Sequence, residues 1–256
     1  MKNQILTTAA VLMIAAASCK KEKVTHLPGQ FKGTAVALGN GHAWSWVETD
    51  AQNKPLNVGI TFEKTAFTNL PSDGEEQEYV LTMPAEKTAT PFQTIVLDWN
   101  PHGHPPEHVY DKPHFDMHFY MMPESDRLQI PDFETDSTGF VNYPASAYLP
   151  QNYVPISGGE PEMGTHWVDV TSPELSQTNP QPFTQTFVYG SYNGNVTFYE
   201  PMATLAFLTG TKTFERTIPQ PAKFSRDGYF PTKMSFTDKG TTFEVTLHDF
   251  IYHSKS

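Results

Sequence analysis

The chain has 256 residues, with 17 Lys+Arg against 28 Asp+Glu for a formal charge of −11, and carries 18 Phe, 11 Tyr, 4 Trp and a single cysteine. That length supports a real hydrophobic core and excludes a disulfide-stapled miniprotein. The acidic balance, with no basic patch, argues against a nucleic-acid partner, and the aromatic content argues against a disordered acidic chain.

Residues 1–18 open on the basic Lys2 and continue through an apolar run from Ile5 to Ala17, too short to span a bilayer comfortably. This pattern predicts a signal peptide. The region Ala16-Ala17-Ser18-Cys19 resembles a bacterial lipobox, with small residues before the cysteine that takes the lipid, although Ala16 stands where Leu is more usual. Cys19 has no second cysteine to pair with, so it is the expected lipidation site and membrane anchor. Excision leaves 238 residues with a formal charge of −12 at the bacterial cell envelope, periplasmic or surface-facing. Residues 19–30, with Lys20-Lys21-Glu22-Lys23, read as a polar tether. Residues 31–256 read as one all-β domain, with two β sub-domains divided near 125–180 as the alternative.

Interior proline costs a helix roughly 3 kcal/mol, and 22 prolines punctuate the chain. Strands and loops are therefore expected throughout. Thr34–Leu38, His42–Val47 and Leu56–Phe62 form a meander around turns at Gly39-Asn40-Gly41 and Asp50–Lys54. Glu78–Met83 and Phe92–Trp99 are two further strands. Single helical turns are expected at Ser125–Ile130 and Pro173–Gln177. Phe183–Tyr192 and Val196–Glu200 flank Asn193-Gly194, the strongest short-range hairpin signal, and Tyr229–Phe236 pairs with Thr242–Tyr252. The fold class is an antiparallel β-sandwich or barrel with long Pro-rich loops and at most short helical turns.

Five of the ten histidines, His102, His104, His108, His114 and His118, fall between residues 102 and 118. Such clustering points to metal binding or acid–base chemistry. From His114 the alternation is sharp: His114, Asp116, His118 and Tyr120 share one face of a strand, while Phe115, Met117 and Phe119 share the other. Along an extended strand His114 and His118 are about 13 Å apart, whereas either histidine and Asp116 are about 7 Å apart and converge easily. His166, in Met163-Gly164-Thr165-His166-Trp167-Val168-Asp169, and Glu200, in Phe198-Tyr199-Glu200-Pro201-Met202, supply an imidazole and a carboxylate at strand ends. His102 and His108 read as loop or supporting residues, and His26, His42, His248 and His253 as structural.

The blocks Leu38-Gly39-Asn40-Gly41, Trp99-Asn100-Pro101-His102-Gly103-His104, Pro113-His114-Phe115-Asp116-Met117-His118-Phe119-Tyr120 and those containing His166 and Glu200 resemble an uncharacterised family of bacterial exported proteins and lipoproteins. The resemblance implies an all-β fold and export, and supplies no mechanism.

The leading expectation is one transition metal, Zn, Fe, Mn or Cu, held by His104, His114, His118 and His166 with Asp116 and Glu200 as carboxylate partners. Asp116 is also suited to orienting a ligand histidine. Glu107, Tyr110 and Glu200 are the groups placed to move protons for a hydrolase, hydratase or oxygenase acting on a small molecule. The alternative is a non-enzymatic, homo-oligomeric envelope protein whose histidine block is a structural polar network.

Overall fold

A computed structural model of the chain describes residues 28–74 and 76–256. The signal peptide, the lipidation site Cys19 and most of the tether lie outside the described residues. The strands are β1 (Gly29–Lys32), β2 (Val36–Leu38), β3 (Gly41–Thr49), β4 (Pro55–Glu63), β5 (Gln77–Leu81), β6 (Thr94–Asn100), β7 (His114–Tyr120), β8 (Tyr153–Pro155), β9 (Thr165–Asp169), β10 (Gln185–Tyr192), β11 (Asn195–Thr204), β12 (Thr213–Thr217), β13 (Gly228–Asp238) and β14 (Thr242–His253). Among the described residues three short α-helices accompany them: α1 (Glu124–Arg127), α2 (Thr138–Val141) and α3 (Leu205–Gly210). The expected tether ends two residues early, because Gly29 and Gln30 already pair with Thr49 and Glu48 in β1.

Every strand pair is antiparallel, in two sheets. The first runs β1-β3-β4-β14-β13-β12, with β2 on β3; the second runs β5-β6-β7-β11-β10-β9-β8. Two-residue periodicity gives each sheet an apolar inner face. Val58, Ile60 and Phe62 of β4 and Val245 and Leu247 of β14 meet Leu97 and Trp99 of β6 and Phe115, Met117 and Phe119 of β7 in one core. The Phe62 and Phe115 ring centroids lie 5.7 Å apart across the gap. Each such buried side chain contributes about 1.5–3 kcal/mol relative to exposure, so the alternating inner faces hold the two sheets together as a sandwich.

An antiparallel sheet ordinarily leaves one face in water, yet all seven residues of β6 and all seven of β7 are buried. The outer face of the second sheet is covered by irregular segments. Tyr110 and Phe183 from two of these pack with Val168, Val188 and Met202 of the sheet. α1 is pinned by Arg127, which donates two hydrogen bonds to Glu124 (2.8 and 2.9 Å), one to Glu78 next to β6 (2.9 Å) and one to Glu162 (3.2 Å). The covering has irregular backbone because its sequence is rich in proline and glycine. It encloses the polar face that begins at His114.

Candidate metal centre

Strand register brings the distant residues together. Phe119 pairs with Tyr199 and Asp116 with Met202, so the same register sets His118 opposite Glu200. Glu200 in turn faces Val188 of β10, and Gly190, two residues along, pairs with His166 of β9. A Cβ at Gly190 would lie 1.9 Å from Cε1 of Phe198, so only glycine lets that ring lie over β10. The Phe198 ring then supports both imidazoles, with centroids 4.9 Å from His118 and 5.1 Å from His166. Above it, Glu200 Oε2 stands 3.6 Å from His118 Nε2 and 3.6 Å from His166 Nε2.

A second group lies on the same face. Asp116 Oδ1 is 3.1 Å from His114 Nε2, and Asp116 Oδ2 is 3.1 Å from His104 Nε2. Asn100, paired with His114 across β6 and β7, donates to Asp116 Oδ2 at 2.8 Å. Within each group of three, the potential ligand atoms lie within 4.8 Å of one another. The structure therefore brings the six expected side chains into two triads, His118/His166/Glu200 and His104/His114/Asp116. The extended geometry of β7 is the reason: it points His114 and His118 the same way but holds them apart.

Burial dominates the electrostatics. It pushes His118 down to about 4, against the pull of Asp116, and, with the charge of His118, it pushes His166 down to about 3. Burial, reinforced by the charges of Asp116 and Asp98, raises the Glu200 carboxyl well above its usual range. Burial would depress His104, but the hydrogen bond and charge of Asp116 carry it up to about 9. Burial would likewise raise Asp116; the neighbouring His114 and His104 hold it well below the ordinary carboxylate value.

Among the described residues, Asp98 Oδ1, His118 Nε2 and Glu200 Oε2 are buried without a hydrogen-bond partner, and the close pairs His118 Nδ1–Asp98 Oδ2 and His114 Nε2–Asp116 Oδ1, 2.9 and 3.1 Å apart, are poorly aligned for hydrogen bonding. Buried polar atoms are nearly always paired. Each triad offers two imidazole nitrogens and one carboxylate oxygen, a donor set suited to Zn(II), Fe(II), Mn(II) or Cu(II), so the residues present fit such an ion.

The two triads open on a cavity of about 610 Å³ whose wall includes His104, Asp116, His118, His166, Glu200 and Tyr110. Tyr110 is 1% exposed, its hydroxyl has no hydrogen-bond partner among the described residues and burial raises its pKa. Glu107, by contrast, is exposed and is not part of the cavity wall. His102 and His108 are also exposed, while His42 contacts Glu63 and His253 stacks on Phe224.

Sequence reasoning missed Asp98, whose Oδ2 lies 2.9 Å from His118 Nδ1. It sits where a supporting carboxylate belongs for that histidine, the role expected of Asp116. The available signal was a lone charge inside the apolar strand Ile95-Val96-Leu97-Asp98-Trp99. Phe198 and Gly190 gave no chemical signal, because their role depends on register.

Residues 50–99 match the TTHB210-like family, described as hypothetical protein TTHB210. The match ends at Trp99, just before the histidine block. No curated protein and no solved structure matches the chain.

Proposed function

We propose that this is an exported lipoprotein, anchored to the membrane through Cys19, that binds a transition metal through His118, His166 and Glu200 and acts on a small molecule in the adjoining cavity. The observation that carries the reading is the convergence of His118 Nε2 and His166 Nε2 on Glu200 Oε2, each at 3.6 Å. An ion there supplies a Lewis acid that polarises a substrate oxygen or activates water. Glu200 is the nearest group to take or return a proton when not engaged by the ion, and Tyr110 presents a second hydroxyl to the same space. Ile156, Val168, Val188 and Met202 give the cavity an apolar side for the body of the substrate.

The two-imidazole, one-carboxylate set occurs in zinc hydrolases and in non-haem iron oxygenases, so the metal's identity selects between hydrolytic and oxygen chemistry. The alternative of an oligomeric envelope protein with a structural histidine network is disfavoured by the unpaired polar atoms, since a network that exists for stability satisfies its members.

The test is elemental analysis of the full chain, purified without a histidine tag, beside His166→Ala and Glu200→Gln variants. Loss of one equivalent of metal or more in both variants with unchanged circular dichroism supports the reading. Equal metal content in wild type and both variants overturns it.

A further inference from the structure

We infer that His104, His114 and Asp116 form a second transition-metal site, separate from the triad at Glu200 and opening on the same cavity. His104 Nδ1 lies 2.7 Å from the carbonyl oxygen of Pro105, and His114 Nδ1 lies 2.6 Å from that of Lys112. A carbonyl only accepts, so each Nδ1 carries a hydrogen and Nε2 is the nitrogen left to bind an ion, once any proton on it is displaced. Both Nε2 atoms face Asp116, one at each of its oxygens, at 3.1 Å, and that of His104 hydrogen-bonds to Oδ2 in the metal-free chain. A divalent cation bound there would take the place of the proton that His104 shares with Asp116 and meet both Nε2 atoms and the carboxylate. Backbone carbonyls behind the imidazoles are the arrangement that orients metal-ligating histidines.

The site is built rather than incidental. His114 is fully buried and the Asp116 side chain is 5% exposed, yet His114 Nε2 and Asp116 Oδ1, 3.1 Å apart, are poorly aligned for hydrogen bonding and have no other partner among the described residues. His104 comes from a different segment and is brought over β7 by a loop closed through its bridge to Tyr110. That loop turns at Gly103, whose φ of +74° suits glycine and where a Cβ would meet Tyr110 O at 2.0 Å. Asn100 steadies Asp116 from β6 with a 2.8 Å hydrogen bond to Oδ2.

The donor set, two imidazoles and one carboxylate, takes the same borderline divalent ions as the first triad. Asp116 and His118 are two residues apart on β7, about 7 Å along the strand. The two ions would therefore sit side by side with separate ligands. Acidic side chains on the cavity wall, Asp132 and Glu160, provide a field that concentrates cations. A substrate spanning both ions would present two oxygen or nitrogen donors.

The experiment is titration of the EDTA-stripped full chain in detergent with Co(II), followed by visible absorption, and with Zn(II), followed by equilibrium dialysis. Two equivalents are expected for wild type, and one for His104→Ala, for Asp116→Asn and for His166→Ala. His104→Ala removes a half-exposed loop residue and so separates ligand loss from misfolding, which circular dichroism checks. One equivalent that survives His104→Ala and is lost in His166→Ala overturns the second site and leaves the first standing. One equivalent lost in His104→Ala but kept in His166→Ala overturns the first reading and supports this one. No bound metal at all overturns both, and the group is then a pair of imidazolium contacts to Asp116.

Discussion

His118 Nδ1 lies 2.9 Å from Asp98 Oδ2 on the neighbouring strand, with both side chains sealed from solvent. A carboxylate in that position holds the hydrogen on Nδ1 and turns the Nε2 lone pair toward Glu200, where an ion would use it. Asp98→Asn preserves the shape and replaces one carboxyl oxygen with an amide nitrogen that can only donate. The affinity for Zn(II) is expected to fall about 10–100-fold, read by competition with a chelator of known affinity. An unchanged affinity would place the ion elsewhere.

The protonation pattern gives a pH signature with a definite sign. His104 holds its proton up to about 9 in the fold but only to about 6.5 when unfolded. Because the folded value is the higher, its contribution is fully present below pH 6.5 and is lost as the pH rises through 9. Glu200 and Asp98, both raised well above the usual carboxyl range, act in the same direction. Below 6.5 the depressed His118 and His166 oppose these carboxyls, so the informative window lies above. The stripped chain should melt at steadily lower temperature from pH 6.5 to 9. The stabilisation by added Zn(II) should widen over the same range, because the ion replaces the protons being lost. A flat apo profile with a constant metal increment contradicts this assignment.

The sheet-forming part of the chain is legible because its signals are local. The alternation from His114 to Tyr120 matches β7 residue for residue, and Asn193-Gly194 forms the hairpin between β10 and β11. Helical turns appear at Glu124–Arg127 and Pro173–Leu175, close to where they are expected. The strands β8, β9 and β12 are short, of 3, 5 and 5 residues, and give little periodicity to read. The division into two triads is a different matter. His104 and Asp116, like His166 and Glu200, are joined only by the fold of a loop or by strand order, neither of which spacing encodes. Arg127, fully buried by the covering segments, looks in sequence like any surface cation of a short helix.

Gly190 provides a steric test of the floor beneath the Glu200 triad. The Cβ of Gly190→Ala would enter the Phe198 ring, with contacts of 1.9 to 2.2 Å, so the ring must shift. Overpacking of this kind costs about 1–3 kcal/mol. Displacing the ring also tilts His118 and His166, which both rest on it. Urea denaturation should show the lost stability, and Zn(II) affinity should fall although no ligand has been changed. Full affinity in a destabilised variant would show that Phe198 is packing alone.

Arg127 tests how the cavity wall is held. Its guanidinium is fully buried and is shared by Glu78, Glu124 and Glu162, whose side chains are 35%, 32% and 43% exposed. It also lies 5.7 Å from the Tyr120 ring centroid, beneath the outer face of β7. Removing one partner of a buried ion pair costs about 3–5 kcal/mol when the other is stranded in the interior. Here the carboxylates can turn partly toward water, which places Arg127→Ala near the lower end, about 3 kcal/mol. Glu78→Gln deletes one of three carboxylates at a partly exposed position and should cost no more than about 1 kcal/mol. Because Glu162 belongs to the cavity wall and is tied through Arg127 to α1, the arginine variant should also open residues 156–164 to limited proteolysis while the glutamine variant should not. Equal stability losses and equal cleavage in the two variants would show that the arginine contributes no more than a surface charge.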